Sequence, residues 1–136
     1  MNSTEQLEPL RALLSNYPGT SLFTGIESYR WVNEATPYSR KTTDGLSQFE
    51  AYNAGALIDQ FGTHDFYHKS KLVPGVETLP WFLRFMDSWF EKFGGVTAGY
   101  AKQNDRNVLE EKNGIKLAPA ICYESIYGDF LRHYVK

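Results

Sequence analysis

The chain reads as a mixed α/β domain of α+β-like character. Three observations carry this. Three β-rich runs follow one another with short links between Thr20 and Lys69. Segments with helical periodicity stand on both sides of them. A turn pair, Asn113-Gly114, joins two further short extended runs. Neighbouring strands with short links form an antiparallel meander, and the flanking helices need a sheet face to bury against.

The first helix is expected over Ser3 to Tyr17. Ser3 and Gln6 have capping-box spacing, and Leu7, Leu10, Leu13 and Leu14 recur at helical intervals. Pro9 is tolerated only in the first turns, and Tyr17-Pro18-Gly19 closes the helix. Thr20 to Val32 is a strand rich in β-branched and aromatic residues. Asn33 to Leu46 is polar and turn-rich, a loop or hairpin tip. Phe49 to Asp59 is the second strand, and Phe61-Gly62 turns into the third, Thr63 to Lys69.

Thr78 to Phe93 reads as a helix with an unusually wide apolar arc. Leu79, Phe82, Leu83, Met86, Phe90 and Phe93 form one stripe, and Trp81, Phe85 and Trp89 a second beside it. Such a helix is squeezed between packed layers or turns its aromatic side to lipid. A short strand is expected at Thr97 to Lys102. Val108 to Lys112 and Ile115 to Ile121 pair across Asn113-Gly114 as a type I′ hairpin. A last helix, Ile126 to Val135, would carry Ile126, Phe130, Leu131 and Tyr134 on one face.

Composition narrows the function. The chain has 136 residues, 42% hydrophobic and 22% charged, which suits one globular domain. Its net charge of -2 comes without a basic block, so nucleic acid is not an expected partner. No apolar run is long enough to cross a bilayer, and the polar N-terminus lacks signal-peptide regions; the chain by itself is expected to be soluble. The single cysteine, Cys122, cannot form an intrachain disulfide and is either a buried small hydrophobe or a reactive thiol.

Two blocks bear chemistry: Tyr67-His68-Lys69-Ser70-Lys71-Leu72-Val73-Pro74-Gly75-Val76-Glu77 and Ala118-Pro119-Ala120-Ile121-Cys122-Tyr123-Glu124. A nucleophile at a strand-to-helix turn is exposed, and the amide after it can face an oxyanion. The positive end of a following helix lowers a thiol's pKa. Lys69 ends its own strand and could steady an oxyanion and a thiolate, or be a solvated lysine. Glu77 could hold that ammonium or favour a helix N-terminus, and Glu124 has the same two readings. His64 and His68 share a strand face but lack a third ligand, so no metal site is expected. His133, eleven residues past Cys122, lies too far along its helix for a Cys-His dyad.

The pattern Tyr-x-Lys-x-x-Leu-Val-Pro-x-x-Glu, followed by Cys-Tyr-Glu, resembles the carbon–nitrogen hydrolase (nitrilase) superfamily. Within it the likeness is greatest to the apolipoprotein N-acyltransferase family. Leu22-Phe23-Thr24-Gly25-Ile26, Tyr52-Asn53-Ala54-Gly55-Ala56 and Gly114-Ile115-Lys116-Leu117 extend the likeness over roughly Leu7 to Tyr134. Val76 stands where many relatives carry glycine. The resemblance implies that the chain is part of an αββα sandwich, about half of the full domain. It implies Cys122 as nucleophile, Lys69 as triad lysine, Glu77 as supporting glutamate, and Tyr123 and Glu124 beside the oxyanion. No cofactor is implied.

The implied reaction moves an acyl chain from a phospholipid to the N-terminal amine of a diacylglyceryl-cysteine lipoprotein, through a cysteine thioester. The implied location is the periplasmic face of a bacterial inner membrane. The family's general-base glutamate should follow a strand, a setting that neither Glu5 nor Glu8 has. The chain is therefore expected to be an internal fragment, inactive alone and prone to self-association. Two rivals remain: a soluble amidase of the same superfamily, and a non-catalytic interaction module.

Overall fold

The computed structural model describes residues 3–61, 64–74, 77 and 99–135. Helix α1 (Ser3–Leu14) opens the chain. Strands β1 (Ser21–Val32), β2 (Ser39–Lys41), β3 (Gln48–Asp59) and β4 (His64–His68) form one antiparallel sheet. β3 is its centre: β1 pairs along one edge from Ser21↔Asp59 to Val32↔Gln48. The other edge of β3 is shared by β2 at its start and β4 at its end. The three-strand meander is present. The segment 33–46, read from sequence as a loop, contains β2, because Ser39–Lys41 completes the ladder that β4 is too short to reach.

The sheet is covered on both faces, which explains the almost continuous burial of β3. On one face Ala56 and Ile58 pack with Leu14 of α1, joined by Leu10, Leu22, Ile26 and Phe66. On the other, Leu57 and Tyr67 pack with Leu109 and Phe130, joined by Leu117, Ile121 and Tyr134. Register makes this division: Ala56 opposes Phe66 and Ile58 opposes Leu22, so even-numbered residues share a face. Of the leucine stripe read in α1, Leu14 is buried but Leu13 is exposed. Pro9 sits in the second turn rather than the first, and the helix continues through it for five residues to Leu14.

The second face is supplied by the hairpin β5 (Leu109–Glu110) and β6 (Lys116–Leu117). The hairpin is tied to the sheet by Lys112 to Asp59 (2.6 Å) and Ser21 to Glu111 (2.6 Å). Its turn differs from the expected type I′ pair. Gly114 N–H donates to Glu111 O, and Glu111 N–H donates to Ile115 O, each at 2.8 Å. Gly114 has φ +80°, while Asn113 is not left-handed. This is a three-residue loop with glycine at the left-handed position, the next commonest solution.

The C-terminal helix expected over Ile126 to Val135 is three shorter pieces. A 3-10 turn spans Cys122–Ile126, helix α2 spans Gly128–Arg132, and a second 3-10 turn spans His133–Val135. The break at Tyr127, in extended conformation, changes the helical phase. Phe130 is buried as expected, whereas Ile126 is 67% exposed. The wide-arc helix expected over Thr78 to Phe93, and part of the strand expected at Thr97 to Lys102, lie outside the described residues. Within the latter, Ala101 forms a parallel bridge to Tyr52.

Candidate active site at the cysteine turn

The chain approaches Cys122 in extended conformation through Ile121 and then enters the 3-10 turn. Cys122 itself has φ +51° and is the only left-handed residue other than glycine among those described. A side chain in that region costs about 1–2 kcal/mol and persists only where surrounding contacts enforce it. The cysteine is exposed. The expected strand-to-helix turn is therefore a sharp elbow. The elbow opens a single 3-10 turn rather than a long helix, so the macrodipole at the thiol is small. The amides of Cys122 and Tyr123 begin that turn, where a helical segment offers no preceding acceptor.

Glu124 braces the elbow. Its side chain is fully buried. Oε2 accepts the Ile121 N–H at 2.9 Å, closing the turn around the cysteine. Oε1 accepts from Tyr67 Oη (2.7 Å), Ser70 N–H (2.7 Å), Ser70 Oγ (2.9 Å) and Lys71 N–H (3.1 Å). Neither sequence reading of Glu124 anticipated this second set. One carboxylate thus joins the residues on either side of Cys122 to the residues that follow Lys69. Burial raises the Tyr67 pKa most; the Ser70 hydrogen bond opposes this, and the Glu124 hydrogen bond and charge raise it further. The phenol stays protonated and remains a donor.

Lys69 is completely buried. Its Nζ donates to both oxygens of Glu77, at 2.9 and 2.8 Å. Glu77 also accepts Asn53 Nδ2 (3.1 Å) and Val73 N–H (2.7 Å). Burial alone would raise the Glu77 pKa. The hydrogen bonds from Lys69, Val73 and Asn53, with the ammonium charge, outweigh it and hold the carboxyl below its ordinary value. An ammonium has three N–H groups; two serve Glu77, and the third has no acceptor among the described residues. The Lys69 backbone is fixed as well, its N–H donating to Asn53 O at 2.9 Å.

Asn53, Ser70 and Tyr67 were not singled out from sequence as site residues. Tyr-Asn on β3 was noted only as part of a pattern; its function here is to bring an amide donor to Glu77. Glu8 lies in α1 and pairs with Arg11 at 2.6 Å; Glu5 also lies in α1. His68 is stacked with Phe66 and contacts Ser28 Oγ through Nε2 at 3.0 Å. No cluster able to hold a metal ion occurs among the described residues. His133 bonds its own helix through Asp129 O.

The chain resembles apolipoprotein N-acyltransferases. It is 37% identical over 86 residues to the enzyme of that name from Rickettsia prowazekii (strain Madrid E), covering 62% of this chain and 17% of that protein. Against the Rickettsia bellii (strain RML369-C) protein the identity is 39% over 88 residues, 62% of this chain and 16% of that one. Against apolipoprotein N-acyltransferase 1 of Treponema pallidum (strain Nichols) it is 29% over 109 residues, 71% of this chain and 18% of that one. The chain thus spans less than a fifth of the length of these relatives. No family model matches it, and no solved structure matches it.

Proposed function

We propose that this chain is an internal part of the catalytic domain of an apolipoprotein N-acyltransferase, a nitrilase-type αββα sandwich of which it forms roughly half. The observation that carries the reading is the Glu124 clasp. It joins an exposed, left-handed cysteine to the segment of a buried lysine whose ammonium is held by a second glutamate. The named relatives support the same activity.

The reaction is ping-pong. A general-base carboxylate, supplied from outside this chain, takes the Cys122 thiol proton. The thiolate attacks the acyl ester carbonyl of a phospholipid. Lys69, through its remaining N–H, and the amides at the elbow hold the developing oxyanion. Collapse breaks the C–O bond, and the lysophospholipid alkoxide leaves with the proton the base had taken. The amine of a diacylglyceryl-cysteine lipoprotein then attacks the thioester, loses its proton to the base and releases the thiol. Glu77 holds and orients the Lys69 side chain, and Tyr123 and Glu124 shape the turn.

No helix among the described residues is long and apolar enough to cross a membrane; both lipid substrates would reach the site at the periplasmic surface of the inner membrane, where other parts of the protein hold it. The base, the remaining half of the sandwich and the membrane attachment make the whole protein the active species; β1, which pairs only with β3 among the described residues, would make this part alone prone to self-association.

The test uses the whole protein containing this chain, in detergent with phosphatidylethanolamine. Intact mass should show an acyl adduct on Cys122 that hydroxylamine removes and Cys122→Ala lacks. A protein that forms no adduct but hydrolyses simple amides is a soluble-type hydrolase instead. One that does neither is an interaction module.

A further inference from the structure

We propose that the open pocket beside the cysteine elbow is a subsite for a phosphate ester group. The proposal rests on the acyltransferase reading for the ligand it names: the headgroup phosphate of the acyl donor. The pocket has a volume of about 310 Å³ and is lined by Tyr38, Ser70, Lys71, Leu72, Lys102 and Tyr127. That volume lies at the low end of ligand sites and suits a compact headgroup.

Four separate segments meet there. Tyr38 comes from the approach to β2, and Ser70 to Leu72 directly follow Lys69. Lys102 follows the residue bridged to Tyr52, and Tyr127 ends the turn that begins at Cys122. The pocket therefore touches the Lys69 block directly and meets the cysteine turn only at its far end, through Tyr127.

Among the described residues its lining contains two ammonium groups and no carboxylate, in a chain whose net charge is -2. Neither Lys71 nor Lys102 has an ion-pair partner among the described residues, whereas Lys69 and Lys112 do. The carboxylate of Glu124, which bonds Ser70 and Lys71, has both oxygens turned inward onto donors. The Ser70 hydroxyl is likewise committed to Glu124. What remains for a ligand are the two ammonium groups and the phenol of Tyr38. The Tyr127 hydroxyl is engaged by Tyr123, and that hydrogen bond, with burial and the Tyr123 charge, raises its pKa, so Tyr127 adds no negative charge to the pocket. Paired cations beside a neutral O–H donor suit a phosphate, which lysine binds as a point charge.

The experiment compares two acyl donors with the same acyl chain in the whole protein: phosphatidylethanolamine, and an uncharged p-nitrophenyl ester. In Lys71→Met/Lys102→Met the ratio of their kcat/KM values should fall about tenfold in favour of the uncharged donor, each of the two solvent-exposed charge contacts being worth a factor of about three. Lys71→Arg/Lys102→Arg should restore most of it. An unchanged ratio overturns the headgroup assignment.

Inorganic phosphate separates the two sources of the same chemistry. Line broadening in ³¹P spectra should report phosphate binding to the unmodified protein, lost in the double Met variant. Phosphate binding without donor discrimination would assign the pocket to free phosphate and overturn the lipid headgroup. No binding and no discrimination would overturn the subsite altogether. If the unmodified protein forms no Cys122 adduct with either donor, the acyltransferase reading fails, and the phosphate titration still decides the pocket.

Discussion

Glu77 and Glu124 are both buried carboxylates beside the same site, yet they are satisfied in opposite ways. Glu77 neutralises an ammonium and takes two further hydrogen bonds from neutral donors. Glu124 has no hydrogen-bonded cation among the described residues; five neutral donors from residues 67 to 71 and from Ile121 surround it. The first arrangement holds a charge in place. The second holds two stretches of backbone in place, fifty or more residues apart in sequence. A buried carboxylate costs several kcal/mol to desolvate, and the two environments offset that cost by different means.

The largest consequence comes from the clasp. Glu124→Ala leaves the N–H groups of Ser70, Lys71 and Ile121 and the Tyr67 hydroxyl without their acceptor in the interior. Each buried unsatisfied donor costs about 1–3 kcal/mol, and some relaxation is inevitable. We expect a loss of about 4 kcal/mol in chemical denaturation followed by tryptophan fluorescence. A loss under about 1 kcal/mol, within the range of ordinary surface changes, would mean that the two blocks are held together by something else.

Glu77 should behave differently because its partner is a charge. Lys69→Met strands the carboxylate, and the variant should lose about 3 kcal/mol. Lys69→Met/Glu77→Leu should recover part of that loss, since an apolar pair of similar volume avoids both desolvation costs. No second substitution could do the same for Glu124, whose partners are mostly backbone. The pH dependence derives from the lowered Glu77 pKa. A depressed carboxyl contributes stability that is complete above the ordinary value of 4.5 and lost as pH falls through the lower folded value. Unfolding measured from pH 6 downward should show this acid limb, and Glu77→Gln should flatten it. An identical limb in the variant would move the titration elsewhere, to groups such as His68, whose pKa burial and Arg30 lower.

The difference between the two glutamates also marks what could be read from the chain. Lys69 and Glu77 are eight residues apart and flank a Pro-Gly segment, so their pairing is a local matter and was legible. The sheet was legible too, because β1, β3 and β4 are near neighbours in sequence and their alternation sorts residues to two faces. Glu124 was not, because its partners near Lys69 lie 53 to 57 residues upstream, and nothing in Cys-Tyr-Glu specifies them. The hairpin turn was misjudged because Asn-Gly serves two loop lengths. Only the Glu111 to Ile115 hydrogen bond distinguishes them. The C-terminal helix was overextended for a similar reason. Its apolar spacing runs through Tyr127, but the elbow sets a starting phase that the spacing does not record.

The smallest expected effect has the opposite sign and bears on why the clasp exists. Cys122 occupies a left-handed conformation that glycine adopts without strain. Cys122→Gly should therefore stabilise the fold by about 0.5–1 kcal/mol, reduced from the full strain by the greater freedom of glycine in the unfolded chain. In the Glu124→Gln background the gain should shrink, because Ile121 N–H then loses its carboxylate and the elbow can relax. A double-mutant cycle over these two positions measures that dependence, and contacting residues of this kind couple by about 0.5–3 kcal/mol. Strict additivity would show that the left-handed turn is imposed by the packing of Phe130 and Tyr134 behind it, not by Glu124. Coupling would show that a buried carboxylate is used to keep a thiol in a conformation it would otherwise leave.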